Sequence, residues 1–228
     1  MDELLAAIEL ETADNPRFSV IWMHGLGADG SDFVPVVAEL GLQGYAVRFI
    51  FPHAPMIPVT CNGGYVMRAW YDIISLDINS RTIDDAGIVA SRQAIRRLIA
   101  RENERGVPNH RIFIAGFSQG GAVAYATALT HPEKLAGVIA LSTYIPNPGL
   151  AAEFTEANKA TPIFAAHGTD DDVVSFQLGV AARDLLIRQG YALQWQDYPM
   201  SHSVRPEEIE AIGKWLRKNM TQNRGAQP

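Results

Sequence analysis

Two hydrophobic periodicities alternate along the chain. The short apolar runs FSVIWM (18–23), YAVRFIF (45–51), RIFIAGF (111–117), LAGVIALS (135–142), PIFAAHG (162–168) and ALQWQDY (192–198) have the length and the β-branched or aromatic content of strands. Between them apolar residues return at helical spacing. Over 82–104, Ile83, Ile88, Ala90, Ile95, Leu98 and Ile99 fall on one side with Arg and Glu opposite, which predicts a covering helix closed by Gly106 and Pro108. Segments 118–130, 176–188 and 207–219 read as further helices, the first rich in Ala and Gly. LLAAIELET (4–12), ahead of a turn at Asp14-Asn15-Pro16, reads as a strand or a short helix. This alternation predicts an α/β fold with a mostly parallel central sheet and helices on both faces.

Two segments break the pattern. Residues 52–72 are rich in Pro and Gly and follow neither periodicity, which predicts a long excursion over the surface, a common place for function. The polar stretch TQNRGAQP (221–228) reads as a disordered tail, leaving a single domain over 1–220.

Composition narrows the classes of function. A chain of 228 residues with 47% hydrophobic content can bury one sizeable core. Lys and Arg number 19 against 25 Asp and Glu, giving a net charge of −6, and no basic run offers the footprint that holds a nucleic-acid backbone. The acidic opening Met1-Asp2-Glu3 is unlike a secretory signal, and no apolar run approaches the roughly 18 residues of a membrane span. A single cysteine, Cys61, permits no internal disulfide, so the expectation is a cytoplasmic protein.

The motif with most chemical content is GFSQGG (116–121), which follows a strand and opens a small-residue helix. It satisfies G-x-S-x-G, a sharp turn that exposes a serine hydroxyl, here Ser118, above the sheet. The amide of Gln119 then faces a developing oxyanion from a helix start. A serine needs a base. In a sheet of this kind the order along the chain is serine, acid, histidine, which selects His202 in the loop YPMSHSV and leaves His167, at a strand end, a structural role. An oxyanion hole takes its second donor from the loop after an early strand, and HGLGADG (24–30) supplies the Leu26 amide, with His24 supporting the loop. A phosphate-binding reading of GLGADG fails, since neither dinucleotide nor P-loop pattern can be completed. The acid lies in HGTDDDVV (167–174), where Asp170, Asp171 and Asp172 stand in a row with no other metal-ligand spacing nearby.

With these pieces, the chain resembles the carboxylesterase and acyl-protein thioesterase (phospholipase/carboxylesterase) family of the α/β-hydrolase superfold over nearly its whole length. The matching stretches are HGLGADG, PHAPMIPVT.NGG with Cys61 at the variable position, MRAWYD, GFSQGGAVA, HGTDDDVV and SHSV. The resemblance implies a cofactor-independent serine hydrolase acting on short- to medium-chain carboxylic esters or acyl thioesters, with S-acylated proteins or lysophospholipids as alternative main substrates. It implies Ser118 as nucleophile, His202 as base, the amides of Leu26 and Gln119 as oxyanion hole, and, by the spacing Gly, two residues, acid, Asp171 as the acid. The MRAWYD stretch departs from the pattern at Arg68 and Tyr71, where a small residue and Phe are common.

Met67, Trp70, Tyr71, Leu76, Tyr144 and Val173, with Ile73 and Ile145, are the apolar candidates for the substrate cleft, and YIPNPG (144–149) for a lid or a plain turn. A dienelactone-hydrolase-like enzyme shares the fold but favours cysteine at the elbow, and a non-catalytic binding module on the same scaffold is the non-enzyme alternative. A homodimer is left open.

Overall fold

Central strands that are apolar on both faces belong in the middle of a covered parallel sheet. The computed structural model, which describes residues 4–77 and 80–224, places them there. The chain runs β1 (Ala7–Glu11), β2 (Phe18–Met23), β3 (Val47–Pro52), β4 (Met56–Val59), β5 (Tyr65–Arg68), β6 (Ile73–Asp77), β7 (Ser80–Ile83) and α1 (Asp85–Glu104). It continues through β8 (Ile112–Phe117), α2 (Gln119–Leu129), β9 (Gly137–Leu141), β10 (Ile163–Gly168), α3 (Phe176–Arg188), β11 (Leu193–Tyr198) and α4 (Pro206–Arg224). Seven strands form the main sheet in the order β1-β3-β2-β8-β9-β10-β11. Every pairing is parallel except β1 with β3, where Ala7 faces Pro52.

Strand alternation divides the core into two layers. Ile21, Met23, Ile114, Val138 and Ala165 point to the side covered by α1, α2 and α3. Val20, Trp22, Phe49, Phe113 and Phe164 point to the other, where α4 packs Ile209, Ile212, Trp215 and Leu216. Helix α2 is buried all round, which its Ala- and Gly-rich sequence allows. Edge strand β11 has no fully buried residue, unlike the strands at the centre of the sheet, as a strand with one open side should.

Some expected boundaries move. The first strand joins the sheet beside β3, not beside β2 across the Asp14 turn. Helix α1 begins at Asp85, because the Asp84 side chain accepts from the Ala86 amide and Thr82 and Ile83 belong to β7. The 52–72 excursion contains a hairpin, β4 with β5, and a second hairpin, β6 with β7, follows it. The expected tail is helical as far as Arg224, and Thr221 hydrogen-bonds the Tyr45 hydroxyl at 2.9 Å. The rest of that tail lies outside the described residues.

Two buried acids shape the stability of this frame. Glu102 of α1 accepts from Ser19 of β2 at 2.5 Å, Arg48 of β3 at 2.8 Å and Arg105 at 3.0 Å, and Arg48 also bonds Glu11 of β1 at 2.8 Å. Three strands are thus tied to one helix by ion pairs and the Ser19 hydrogen bond. Glu208, on the first turn of α4, is fully buried, and burial pushes its carboxyl up to about 8 despite the nearby Arg205 backbone.

No helix among the described residues is long and apolar enough to cross a membrane.

Candidate active site

The strand order reverses at β2. The chain leaves β2 toward β3 and later returns to β8 on the opposite side, and in open parallel sheets a crevice opens at such a point beyond the strands' C-terminal ends. The loop after β2 carries Leu26 and the turn after β8 carries Ser118. A Cβ placed on Gly25 would lie 3.5 Å from the Ser118 Cβ, so the two meet directly.

Ser118 stands at φ 54° and ψ −121°, a conformation that L side chains avoid and that packing must enforce. The enforcing contacts are close backbone approaches. A Cβ on Gly116 would sit 2.2 Å from the Gly120 carbonyl oxygen, and one on Gly120 would sit 2.4 Å from that of Met23. The Ser118 carbonyl is held at 2.6 Å by the Thr143 hydroxyl.

The carbonyl ends of the sheet form a staircase. Ser118 N–H donates to Leu141 C=O at 2.9 Å, Ser142 N–H to Ala166 C=O at 2.8 Å, and Thr169 N–H to Tyr198 C=O at 2.8 Å. Asp170 N–H then reaches Met200 C=O at 3.1 Å, joining the loop after β10 to the loop that carries His202.

Of the three adjacent acids, Asp170 and Asp172 are exposed and Asp171 is buried. Its Oδ1 accepts from the amides of Val173 at 3.0 Å and Val174 at 2.8 Å, and its Oδ2 lies 2.7 Å from His202 Nδ1. Burial alone would raise this carboxyl. The His202 hydrogen bond and charge, the Val174 amide and His167 outweigh it and hold the group below the ordinary carboxylate range. His202 Nδ1–H therefore donates to the carboxylate, which leaves Nε2 with its lone pair. The His202 ring packs on Phe117, the residue before Ser118, with centroids 4.7 Å apart.

His24 and His167 are structural. His24 Nε2 accepts the Ala54 amide at 3.1 Å, so its Nδ1–H donates to Gly25 C=O at 2.7 Å, and burial lowers its basicity. His167 Nε2–H donates to Val174 C=O at 2.8 Å and lies 3.4 Å from Asp171 Oδ2.

Neither the Leu26 nor the Gln119 amide has a hydrogen-bond partner among the described residues. Both are therefore available to an incoming oxygen, Gln119 at the start of α2, where helix partial positive charge collects. The Leu26 loop is fixed by Gly27 N–H donating to Arg68 C=O at 2.8 Å, while the Arg68 guanidinium donates to Ala54 C=O at 2.8 Å. The main chain of Arg68 thus braces the Leu26 loop, and its side chain holds the segment after β3 at Ala54. Sequence reading missed a second task of Gln119, whose carboxamide accepts from Trp70 N–H and donates to Tyr71 C=O, each at 2.8 Å.

The cleft candidates divide. Trp70, Tyr71, Ile73 and Tyr144 are at most 4% exposed and belong to the core under the loops, not to an open wall. Trp70 Nε1–H donates to His24 C=O at 2.9 Å, and the Tyr71 and Tyr144 hydroxyls pair at 2.7 Å. Met67 flanks the Leu26 loop, with its sulfur 3.7 Å from a Cβ placed on Gly27. Val173 is exposed beside Asp171. The Leu76 side chain lies outside the described residues. Within YIPNPG, a 3-10 turn begins at Pro148, its start capped by the Asn147 side chain on Gly149 N–H.

A mostly parallel sheet covered on both faces, with a strained serine in the turn after its central strand and a paired histidine and aspartate on later loops, defines an α/β-hydrolase. Its nearer kinship is equally plain: the phospholipase/carboxylesterase family profile matches residues 6–220, and the chain belongs to that family. It is 41% identical to acyl-protein thioesterase 1 of Neurospora crassa across 95% of this chain and 91% of that one. It is 34% identical to carboxylesterase SOBER1 of Arabidopsis thaliana across 90% and 91%. The crystal structure of Arabidopsis SOBER1 superposes with a TM-score of 0.84 at 33% identity, over 90% of this chain and 99% of that one. Acyl-protein thioesterase 2 of Zea mays gives 0.83 at 25% identity, over 94% and 99%.

Proposed function

We propose that this hydrolase cleaves short- to medium-chain carboxylic esters and acyl thioesters, S-acylated protein among them, through an acyl-enzyme formed on Ser118. His202 Nε2 takes the hydroxyl proton as Ser118 Oγ attacks the acyl carbonyl. The amides of Leu26 and Gln119 hold the resulting oxyanion, and His202 returns the proton to the departing alcohol or thiol. Water, deprotonated by the same imidazole, then releases the acid. Asp171 keeps the imidazole in the tautomer that exposes Nε2. No cofactor enters these steps, and the working compartment proposed for a chain with the lone Cys61 is the cytoplasm.

The observation that carries this reading is the 2.7 Å contact between His202 Nδ1 and Asp171 on a ring packed against Phe117. The relatives named thioesterase and carboxylesterase support both substrate classes. Losing one oxyanion donor would cost on the order of 3 kcal/mol in the transition state. The test is labelling with a fluorophosphonate, beside turnover of p-nitrophenyl esters of increasing chain length and of an S-acylated peptide. Ser118→Ala should abolish both labelling and turnover. Labelling elsewhere in the chain would overturn the assignment, and the ratio of peptide to simple-ester turnover ranks the substrate classes.

A further inference from the structure

Arg81, on β7 and far from the catalytic motifs in sequence, reaches the loop that holds Asp171. Its guanidinium donates to the Val173 carbonyl oxygen and lies over the Tyr144 ring at 5.0 Å from the centroid. Tyr144 is itself fixed by its hydroxyl pair with Tyr71, so the guanidinium has a rigid seat.

The Val173 carbonyl and the Val174 amide are two ends of one peptide unit. That amide is the 2.8 Å donor to Asp171 Oδ1, and Asp171 Oδ2 is the acceptor for His202. A continuous line of hydrogen bonds therefore runs from Arg81 through one peptide group and one carboxylate to the imidazole. Each bond in such a chain polarises the next, so a cation on the carbonyl makes the amide at the other end a better donor. The next carbonyl, that of Val174, is taken by His167. The Arg81 contact thus holds the Val173–Val174 peptide that binds the carboxylate, and the His167 contact holds the Val174–Ser175 peptide that follows it.

We propose that Arg81 is a positioning residue for the reaction, setting the orientation and charge of Asp171 through the Val173–Val174 peptide. This rests on the assignment of Ser118, His202 and Asp171 proposed above. A residue acting in this way touches no substrate. Its loss lowers the rate of the chemical step and leaves binding alone.

The experiment compares the parent with Arg81→Met and Arg81→Lys, using p-nitrophenyl butyrate turnover, fluorophosphonate labelling and the low-field proton resonance of the His202–Asp171 hydrogen bond. Arg81→Met should lose about 10- to 100-fold in kcat, the scale of a small displacement of catalytic geometry. KM should stay within about twofold, since only the chemical step is affected. The low-field resonance should shift or broaden. Arg81→Lys, which keeps a charged donor, should recover most of the rate and the resonance. An unchanged kcat and resonance in folded Arg81→Met, or a Lys variant as impaired as the Met variant, overturns the proposal. If Arg81→Met does not fold, Arg81→Gln against Arg81→Lys makes the same comparison, and equal rates overturn it. Parent protein that does not label at Ser118 refutes the catalytic assignment and this inference with it; parent that labels normally beside an unaffected Arg81 series refutes the inference alone.

Discussion

The Gln119 carboxamide oxygen accepts the backbone N–H of Trp70 at 2.8 Å, inside the core and next to the proposed oxyanion site. Together with its bond to the Tyr71 carbonyl, this clamps the segment between β5 and β6 against the start of α2. Gln119→Ala keeps the main-chain amide but strands two buried backbone groups. It should cost about 2 kcal/mol or more, and a midpoint lowered by several degrees in thermal unfolding would register it. A variant as stable as the parent would show that the clamp contributes nothing.

The role proposed for Asp171 separates it from its two neighbouring aspartates. Asp171→Asn retains shape but replaces the anion that selects the His202 tautomer, and should lower kcat by about 10⁴-fold, as such changes do in serine triads. Asp170→Asn and Asp172→Asn, altering exposed side chains, should stay within about twofold of the parent. Steady-state kinetics on one chromogenic ester suffices, and a severe loss at either outer position with little at Asp171 contradicts the assignment.

Stability should vary with pH through Glu208. Its folded carboxyl titrates near 8 because of burial, whereas an unfolded Glu titrates near about 4.3. Between those values the folded chain holds a proton that the unfolded chain has released. The Glu208 contribution is therefore complete below about 4.3, falls as pH rises through the window and levels off above 8, a change of a few kcal/mol. Denaturant titrations at pH 6 and pH 9 should show the parent weakening, and Glu208→Gln should flatten that difference.

The Glu102 cluster predicts a different kind of loss. Removing the carboxylate with Glu102→Ala leaves Arg48 with Glu11 alone and Ser19 without its partner, so about 3 kcal/mol should disappear. Because the cluster ties β1, β2 and β3 to α1 and makes no contact with Ser118 or His202, kcat of the folded fraction should hold.

Much of the frame was legible in the residues. Strands such as FSVIWM and RIFIAGF are apolar on both faces, so the buried parallel sheet could be read directly, and G-x-S-x-G between a strand and an Ala-rich helix located Ser118. The strain at φ 54° follows from glycine contacts that adjacent sequence already implies. What escaped depends on partners distant along the chain. Arg81 differs in no local way from other arginines, and only folding brings it to Val173. The hairpin of β4 with β5 lacks a clean alternation because both its faces are partly exposed. Trp70 and Tyr71 looked like cleft residues for their size and position, but their hydrogen bonds to His24 and Tyr144 hold them inward. The end of α4 was hidden by its polar composition, which the Tyr45 contact to Thr221 compensates.

The staircase of amides along the carbonyl edge of the sheet has a consequence for how this scaffold can vary. Ser118, Asp171 and His202 have their heights fixed by strand-to-strand pairing at β8, β9, β10 and β11, and the described residues of the segment from 53 to 84 take no part in that pairing. The proposed catalytic spacing behaves as a jig cut into the sheet. Apart from the braces at His53, Ala54, Arg68, Trp70, Tyr71 and Arg81, that segment is free to be lengthened, shortened or recomposed for a new acyl group while the three proposed catalytic side chains keep their distances.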